Sequence, residues 1–206
     1  SLGSSAAFLG DINGDGYDDI ALGAKGASGG TGKVFILLGG KNMDANTDLV
    51  LTGENPGDGF GCSVSKAGDY NYDGYNDIMV GASGFASNKG KAYLYYGGSQ
   101  LNAVSDLTVN GENTGDYFGY SVSFAGDLNG DLYDDVIVGA YGYNSNQGRV
   151  YIFLGSEQQD ATPDKILSGE TTESHFGYSI AGGGDINSDG YSDILVGAYS
   201  YNNYTG

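Results

Sequence analysis

Four acidic segments of nine residues recur along the 206-residue sequence, beginning at Asp11, Asp69, Asp127 and Asp185, each 58 residues after the last. Every segment carries aspartate or asparagine at positions 1, 3, 5 and 9, so oxygen atoms stand at alternate positions of a short loop. The tyrosine at position 7 can turn its backbone carbonyl toward the same point. Calcium takes about six to eight oxygen ligands at ~2.3–2.6 Å, and short Asp and Asn side chains can supply most of them. The segments therefore predict up to four calcium sites.

The predicted ligands are the same in all four segments: three carboxylates, one amide oxygen and one tyrosine carbonyl. In chain order they are Asp11, Asn13, Asp15, Tyr17 and Asp19; Asp69, Asn71, Asp73, Tyr75 and Asp77; Asp127, Asn129, Asp131, Tyr133 and Asp135; and Asp185, Asn187, Asp189, Tyr191 and Asp193. A single copy would be as consistent with a plain Asx turn as with a metal site. A turn needs one Asp or Asn, whereas these segments repeat five oxygen positions four times, which favours calcium. Magnesium is less suited because it dehydrates reluctantly and keeps its own waters.

Glycine occupies position 6 in three of the segments, where it permits the positive φ of a sharp turn. In the third segment Leu132 takes its place. A non-glycine residue in a left-handed conformation costs on the order of 1 kcal/mol. The third segment is therefore predicted either to bind calcium more weakly or to turn differently.

The sequence carries 26 acidic and 8 basic residues, which gives a formal net charge of −18. Such a chain repels nucleic acid and anionic membrane surfaces, so neither is predicted as a partner. It contains no apolar run long enough to span a membrane, and its first residues lack the basic start of a signal peptide. The single cysteine, Cys62, excludes an intrachain disulfide and indicates stabilisation by packing or by metal.

The 58-residue period divides the whole chain into repeats over residues 2–59, 60–117 and 118–175, with a partial fourth repeat over 176–206. In the third repeat, the apolar pattern predicts four short strands, A to D, over residues 120–125, 135–140, 149–154 and 165–168, and strand D of the second repeat is predicted over 106–109. Four strands per repeat are typical of a propeller blade, so the chain is predicted to be an all-β propeller with about three and a half blades. A parallel β-helix is the alternative, but its coils are much shorter than this period.

Two further motifs flank the acidic segments: Phe60-Gly61 opens the second repeat and Gly81-Ala82 follows its acidic segment, with counterparts in the other repeats. Together with the Asp-x-Asn-x-Asp-Gly-x-x-Asp pattern, they make the whole chain resemble the FG-GAP repeats of the integrin α-subunit β-propeller. The resemblance implies seven repeats in a closed propeller, calcium in loops between the first two strands of certain blades, and an extracellular or cell-surface role in adhesion. The chain lacks the proline of the motif. Similar repeats also occur in microbial surface proteins, some lectins and some carbohydrate-active enzymes.

An enzyme would need an acid, a base or a nucleophile that is free of other duties, and the candidates here are poor. His175 is the only histidine and is interpreted as a loop residue before a strand. Cys62 has no histidine nearby in the sequence and is interpreted as a packing residue. Twelve carboxylates are assigned to the predicted calcium sites. The sequence therefore predicts a protein without catalytic activity.

In an up-and-down blade the A–B and C–D loops lie at one end, so the predicted calcium loops lie opposite the B–C loops. The B–C loops of the last two repeats, residues 141–146 and 199–204, combine tyrosines with amide side chains. Such a surface suits a protein or glycan partner, although the tyrosines are equally consistent with filling between blade rims. The sequence thus predicts a calcium-binding module for adhesion, recognition or surface structure. The alternative is a lectin-like propeller accessory to a carbohydrate-active enzyme.

Sites of this kind are usually saturated by the micromolar to millimolar calcium of an extracellular setting. A lone glycosylation sequon at residues 203–205 is compatible with secretion. Three and a half blades do not close a ring, so the remaining blades are expected from further residues of the polypeptide or from other chains.

Overall fold

The computed structural model describes residues 2–42, 44 and 46–204, which form four antiparallel sheets in sequence. The first sheet contains β1 (Ser5–Gly10), β2 (Asp19–Ala24), β3 (Lys33–Leu37) and β4 (Leu49–Thr52). The second contains β5 (Ser63–Gly68), β6 (Asp77–Ala82), β7 (Lys91–Tyr95) and β8 (Leu107–Asn110). The third contains β9 (Ser121–Gly126), β10 (Asp135–Ala140), β11 (Arg149–Phe153) and β12 (Lys165–Ser168), and the two-stranded fourth contains β13 (Phe176–Gly184) and β14 (Asp193–Ala198).

Each second strand is followed by a single irregular helical turn. The turns are α1 (Ala27–Gly30), α2 (Phe85–Asn88), α3 (Tyr143–Asn146) and α4 (Tyr201–Tyr204). The sequence pattern predicts only plain loops at these segments. In the part of the chain that the structure describes, no helix has the length and apolar character needed to cross a membrane.

The sheets are propeller blades, in which strands that follow one another in the sequence are neighbours in the sheet. The prediction of an all-β propeller is confirmed, and the predicted strands of the third repeat are correct to within one residue. Tyr120 lies outside β9 because its N–H donates to the Tyr117 carbonyl in a turn (3.0 Å). Leu154 lies outside β11 because its N–H donates to Asp164 Oδ2 (2.8 Å). Each sheet lies within one of the repeats proposed from the sequence.

The first strands of successive blades lie side by side: β1 contacts β5, β5 contacts β9 and β9 contacts β13. The second strands of the two middle blades are covered on both faces, and all six residues of β6 and of β10 are buried. Burial on both faces explains why these strands are apolar at consecutive positions instead of alternating.

The hydrophobic core lies between successive blades. The fully buried ring of Phe60 packs in one cluster with Leu9 of the first blade and Val80 of the second. Its ring meets Tyr93 edge to face, with the centroids 5.1 Å apart. Phe118 occupies the equivalent position one repeat later and is also buried. The phenylalanines that open the second and third repeats therefore each join two blades.

Glycines of the two flanking motifs meet where blades contact. A Cβ atom on Gly81 would lie 1.9 Å from the carbonyl oxygen of Gly119, and one on Gly139 would lie 2.2 Å from that of Gly177. These distances are too short for any side chain. The same carbonyl of Gly119 accepts a hydrogen bond from Ser63 Oγ at 2.8 Å, which holds the two blades at this spacing. Close approach of the two backbones therefore requires glycine in the Gly-Ala motif.

Candidate metal site

The four acidic segments form the A–B loops, and all connect the first two strands of a blade. They are named here loop 1 (residues 11–19), loop 2 (69–77), loop 3 (127–135) and loop 4 (185–193). The C–D loops lie at the same end of the blades, because Gly39 of a C–D loop donates to Asp19 of loop 1 at 2.7 Å. The D–A and B–C loops meet at the other end, where Gly59 N–H donates to the Gly30 carbonyl at 2.8 Å.

The carboxylate at position 1 folds each loop around itself. In loop 1, Asp11 Oδ1 accepts the N–H of Gly14 at 2.7 Å, and Oδ2 accepts the N–H of Gly16 at 2.8 Å. Position 1 of the other loops accepts backbone N–H groups from positions 4 to 6 in the same way. Burial raises the pKa of Asp11, but its backbone donors outweigh burial and leave this pKa below its ordinary value.

Positions 3, 5 and 7 are linked at the exposed tip of each loop. In loop 1, Asn13 Nδ2 donates to Asp15 Oδ2, the N–H of Asp15 donates to Asn13 Oδ1, and the N–H of Tyr17 donates to Asp15 Oδ1, all at 3.0 Å. The same three bonds recur in loops 2, 3 and 4 at 2.8–3.1 Å. The side chains at positions 3 and 5 therefore lie together in all four loops, next to the backbone N–H of position 7.

The carboxylate at position 9 is buried and joins two loops. Asp19, Asp77 and Asp135 have no exposed surface. Asp77 Oδ2 accepts the N–H of Tyr70 inside loop 2 (3.0 Å), while Oδ1 accepts the N–H of Gly97 in the C–D loop (2.9 Å). Loops 1 and 3 have the same pair of bonds. Sequence analysis assigned position 9 only to metal, and it did not predict this contact to the C–D loop.

Burial raises the pKa of the position-9 carboxylates, to about 7 for Asp77 and about 6 for Asp135, against the opposing effect of their backbone donors. The pKa of Asp19 is raised for the same reason. In each of these loops the negative charges at positions 5 and 1 raise the position-9 pKa further. The three carboxylates of a loop therefore repel one another, and a bound cation would relieve that repulsion.

Loop 3 turns in the same way as the others. Leu132 has φ 76°, close to the 87–91° of the glycines at position 6 of the other loops. The loop does not turn differently, so weaker calcium binding by loop 3 remains as the prediction. Position 4 is left-handed as well, with φ 59° at Tyr72 and 60° at Ser188. The sequence pattern does not reveal this requirement, because non-glycine residues occupy position 4 in two loops.

The donor chemistry of the loops fits calcium. Each loop offers three carboxylates, an amide oxygen and a backbone carbonyl, and a carboxylate retains lone pairs beyond those that accept N–H groups. The two ion pairs within the described residues, Lys91–Glu54 and Arg149–Glu112, lie away from the loops. In the described residues, no three acidic, histidine or cysteine side chains converge into a group that could hold a metal ion. Calcium binding would therefore require the three carboxylates of a loop to lie closer together than they do in this structure.

At the opposite end of the blades, six rings form a surface named here the tyrosine cluster. Its members are Tyr117, Tyr120, Tyr141, His175, Tyr178 and Tyr199. Tyr141 stacks on Tyr117 with centroids 4.9 Å apart, and its edge-to-face contact with Tyr120 is at 4.6 Å. Tyr178 and Tyr199 are 38% and 48% exposed. Tyr141 thus fills space between blades, whereas the outer rings remain accessible.

Other polar and aromatic groups of the B–C loops are engaged within the fold. Asn144 Nδ2 donates to Gln147 Oε1 at 2.6 Å. The guanidinium of Arg149 lies over the ring of Tyr143, 3.6 Å from its centroid. These side chains maintain the shape of the loop. The predicted sequon extends to residue 205, and both that residue and residue 206, the end of the fourth repeat, lie outside the described residues.

The two side chains considered for catalysis are held by neighbouring groups. Cys62 Sγ lies 3.4 Å from the carbonyl oxygen of Gly119 at a blade contact. His175 Nδ1 lies 2.6 Å from Ser200 Oγ, and that hydroxyl donates to the carbonyl of Glu173. The same ring nitrogen lies 2.9 Å from the Glu173 carbonyl, so the imidazole and the hydroxyl both contact one backbone oxygen.

Comparison with known families gives a match along the length of the chain. The model of the FG-GAP repeat matches residues 2–37, 60–95, 118–153 and 176–206. These four matches begin at the start of each repeat and include all four acidic loops.

Relatives of the chain include several integrin α subunits. Integrin alpha-5 of Xenopus laevis is 40% identical over 109 residues, which cover 49% of this chain and 10% of the relative. Integrin alpha-IIb of Homo sapiens is 40% identical over 119 residues, or 55% of this chain and 11% of the relative. Integrin alpha-6 of Gallus gallus is 37% identical over 130 residues, or 60% and 12%. The matched part of the chain thus spans about a tenth of the length of these relatives.

Proposed function

The chain belongs to the FG-GAP repeat family, and from this premise we propose that it is a calcium-binding propeller module for extracellular adhesion or recognition, without catalytic activity. The observation that carries the proposal is the set of four acidic loops with one hydrogen-bonding pattern at one end of the blades. Likeness to integrin α subunits supports the adhesive role and the cell-surface location.

Up to four calcium ions would be held by the side-chain oxygens at positions 1, 3, 5 and 9 and by the tyrosine carbonyl at position 7. Bound calcium supplies positive charge and fixes oxygen ligands in space. The rest of each site is supplied by the chain itself. The carboxylate at position 1 accepts backbone N–H groups that hold the loop closed, and in loops 1 to 3 the carboxylate at position 9 joins the loop to the C–D loop. Loop 3, where Leu132 strains the turn, would bind more weakly than loop 1, which has glycine at both left-handed positions.

Calcium titration of the metal-stripped protein tests the proposal. We expect up to four ions per chain and a higher melting temperature with calcium, since a ligand of the folded state adds RT ln(1 + [L]/Kd). Each kcal/mol gained raises the melting temperature by about 2–4 °C for a domain of this size. Asp15→Asn should remove one ion, whereas Glu157→Gln, an exposed acid outside the loops, should remove none. Identical melting curves with and without calcium would contradict the proposal.

For the partner we propose the face opposite the calcium loops, with the tyrosine cluster as its binding surface for a protein. The observation is the half-exposed ring of Tyr199 beside Tyr178, because aromatic rings with one open face dominate protein interfaces. Tyr141 and Tyr143, which also belong to a B–C loop, are unsuitable for such a test. Tyr141 packs between blades and Tyr143 covers Arg149, so their replacement would weaken the fold.

Replacement of Tyr199 by alanine should weaken capture of the partner by at least tenfold while the melting temperature changes little. Tyr17→Ala is the matched control, because its ring is 45% exposed at the calcium end. Equal binding by both variants would move the partner site elsewhere. A glycan array distinguishes the lectin-like alternative, since stacking of sugar on the same rings would give glycan binding lost in the Tyr199 variant. Hydrolysis of a bound glycan would overturn the non-catalytic assignment.

A further inference from the structure

The four calcium loops touch one another in chain order through their backbones. The N–H at position 8 of each later loop donates to the carbonyl at position 1 of the loop before it. Asn76 donates to Asp11 at 3.2 Å, Asp134 to Asp69 at 3.3 Å, and Ser192 to Asp127 at 2.9 Å. Position 1 carries a proposed calcium ligand, and position 8 lies between two others, at positions 7 and 9. Each of these bonds therefore connects the proposed calcium ligands of one loop with those of the loop before it.

The side chain at position 8 makes a second contact, with the glycine that precedes position 1. A Cβ on Gly68 would lie 2.2 Å from Asp134 Oδ2, and one on Gly126 would lie 2.2 Å from Ser192 Oγ. Both glycines have φ 71°. Asp134 Oδ2 also accepts the N–H of Asp69 at 2.9 Å. The backbone just before loops 2 and 3 therefore leaves space for the position-8 side chain of the following loop.

The tyrosine ring at position 7 makes the third contact, with position 4 of the preceding loop. A Cβ on Gly14 would lie 2.6 Å from Cε1 of Tyr75, so the ring covers this glycine. Between loops 2 and 3, the rings of Tyr72 and Tyr133 lie with centroids 5.3 Å apart. Loops 3 and 4 repeat the ring-on-glycine contact. Since the carbonyl at position 7 is a proposed ligand, drawing it toward calcium also moves the ring on the neighbouring loop.

From these three contacts we infer that calcium binding is positively coupled between adjacent loops, an inference that rests on the proposed calcium function. An ion in one loop fixes positions 7 and 9, and with them position 8, which holds position 1 of the preceding loop. That loop then loses less conformational freedom when it binds its own ion, so its affinity rises. Linkage requires the reverse effect to be equal.

Hydrogen–deuterium exchange of the intact, metal-stripped protein during titration with calcium chloride gives a separate midpoint for each loop. Asp73→Asn replaces a carboxylate ligand of loop 2 by a neutral amide and leaves unaltered the residues at positions 1, 7 and 8, through which loop 2 contacts loops 1 and 3. We expect the midpoints of loops 1 and 3 to rise by about fivefold or more. Loop 4 is joined to loop 2 only through loop 3, so its midpoint should rise less than those of loops 1 and 3. Asp15→Asn removes calcium binding from loop 1. By linkage, it should raise the midpoint of loop 2 by the same factor as Asp73→Asn raises the midpoint of loop 1.

A ring variant tests the contact itself. Tyr133→Leu keeps the carbonyl ligand of loop 3 but removes the ring from Tyr72, so the midpoint of loop 2 should rise. Tyr17→Leu makes the same change in loop 1, where the exposed ring covers no preceding loop within the described residues. Tyr17→Leu should therefore leave the calcium midpoints of the other loops unchanged. If calcium protects the loops but Asp73→Asn and Asp15→Asn leave the midpoints of the neighbouring loops unchanged, the coupling alone is overturned. If calcium protects no loop of the unaltered protein, both the coupling and the calcium function are overturned.

Discussion

A carboxylate that is proposed to bind calcium can also hold two loops of the fold together. Asp77 has no exposed surface, and each of its oxygens accepts a backbone N–H from a different loop. The raised pKa, about 7, reflects burial that the two bonds do not fully offset. The residue therefore joins the A–B and C–D loops whether or not a metal is bound, and its replacement should be costly in both conditions.

Asp77→Asn should destabilise the protein even without calcium. An asparagine presents one acceptor and one amide donor, so one of the two buried N–H groups would face another donor, at a cost of roughly 1–3 kcal/mol. Urea unfolding of the metal-stripped protein measures this. Asp193→Asn is the matched control, because Asp193 is only partly buried and accepts the N–H of Ile186 within its own loop. A loss of stability confined to calcium-loaded Asp77→Asn would show that Asp77 acts only through the ion.

The sequence predicts the strands and loops that recur in every repeat, but it does not predict the contacts that form between them. The strands of each blade follow from apolar runs, and the A–B loops follow from the acidic segments. The tyrosine cluster could not be predicted as a unit, because Tyr120, Tyr141 and Tyr178 belong to three different strand ends whose meeting depends on blade packing. The contact of position 9 with the C–D loop was hidden for the same reason: its partner, Gly97 in loop 2's blade, lies 20 residues further along the chain.

Successive blades are also joined by an acid of the D–A loop. Glu54, after the first blade, accepts hydrogen bonds from Lys91 and Tyr93 of β7 at 2.5 and 3.0 Å. Glu112 makes the same contacts with Arg149 and Tyr151 one repeat later. The hydrogen bond from Lys91 holds the pKa of Glu54 below its ordinary value, against the effect of burial. A carboxyl with a lowered pKa stabilises the fold above its unfolded pKa, and that contribution is lost as the pH falls.

Glu54→Gln should therefore lower the free energy of unfolding at pH 7, by roughly 0–1 kcal/mol since the pair is partly exposed. The difference from the unaltered protein should shrink as the pH falls below about 4, where the carboxylate of the unaltered protein takes up its proton. Urea unfolding at both pH values is the measurement, with Glu157→Gln as the surface control. A difference that stays constant with pH would mean that shape, and not charge, makes this contact.

For the molecule as a whole, charge is the main opposing force. The formal net charge is −18, and four divalent ions would reduce it to −10. Twelve of the 26 acidic residues lie in the proposed ligand sets, all at one end of the blades. Without cations this end repels itself, and mobile ions can only screen that repulsion.

Added sodium chloride should therefore stabilise the metal-stripped protein more than the calcium-loaded protein. Between low salt and ~0.15 M the Debye length falls to about 8 Å, which screens exposed carboxylates of adjacent loops. Melting temperatures of both forms at several sodium chloride concentrations test this. A parallel series in sodium sulfate, which stabilises folded proteins in general, separates screening of charge from general salt effects. Equal salt responses in the two forms would show that the acidic end is not under electrostatic strain.

The position of Phe60 sets the size of the unit that can be exchanged between such proteins. This ring opens the second repeat of the sequence, yet it is buried in a core that includes Leu9 and Leu51 of the first blade. A graft or duplication cut between residues 59 and 60 would separate a sheet from the ring that closes its own core. Recombination that preserves folding must carry the first residues of the following repeat along. The transferable module is therefore a blade together with the opening motif of its successor.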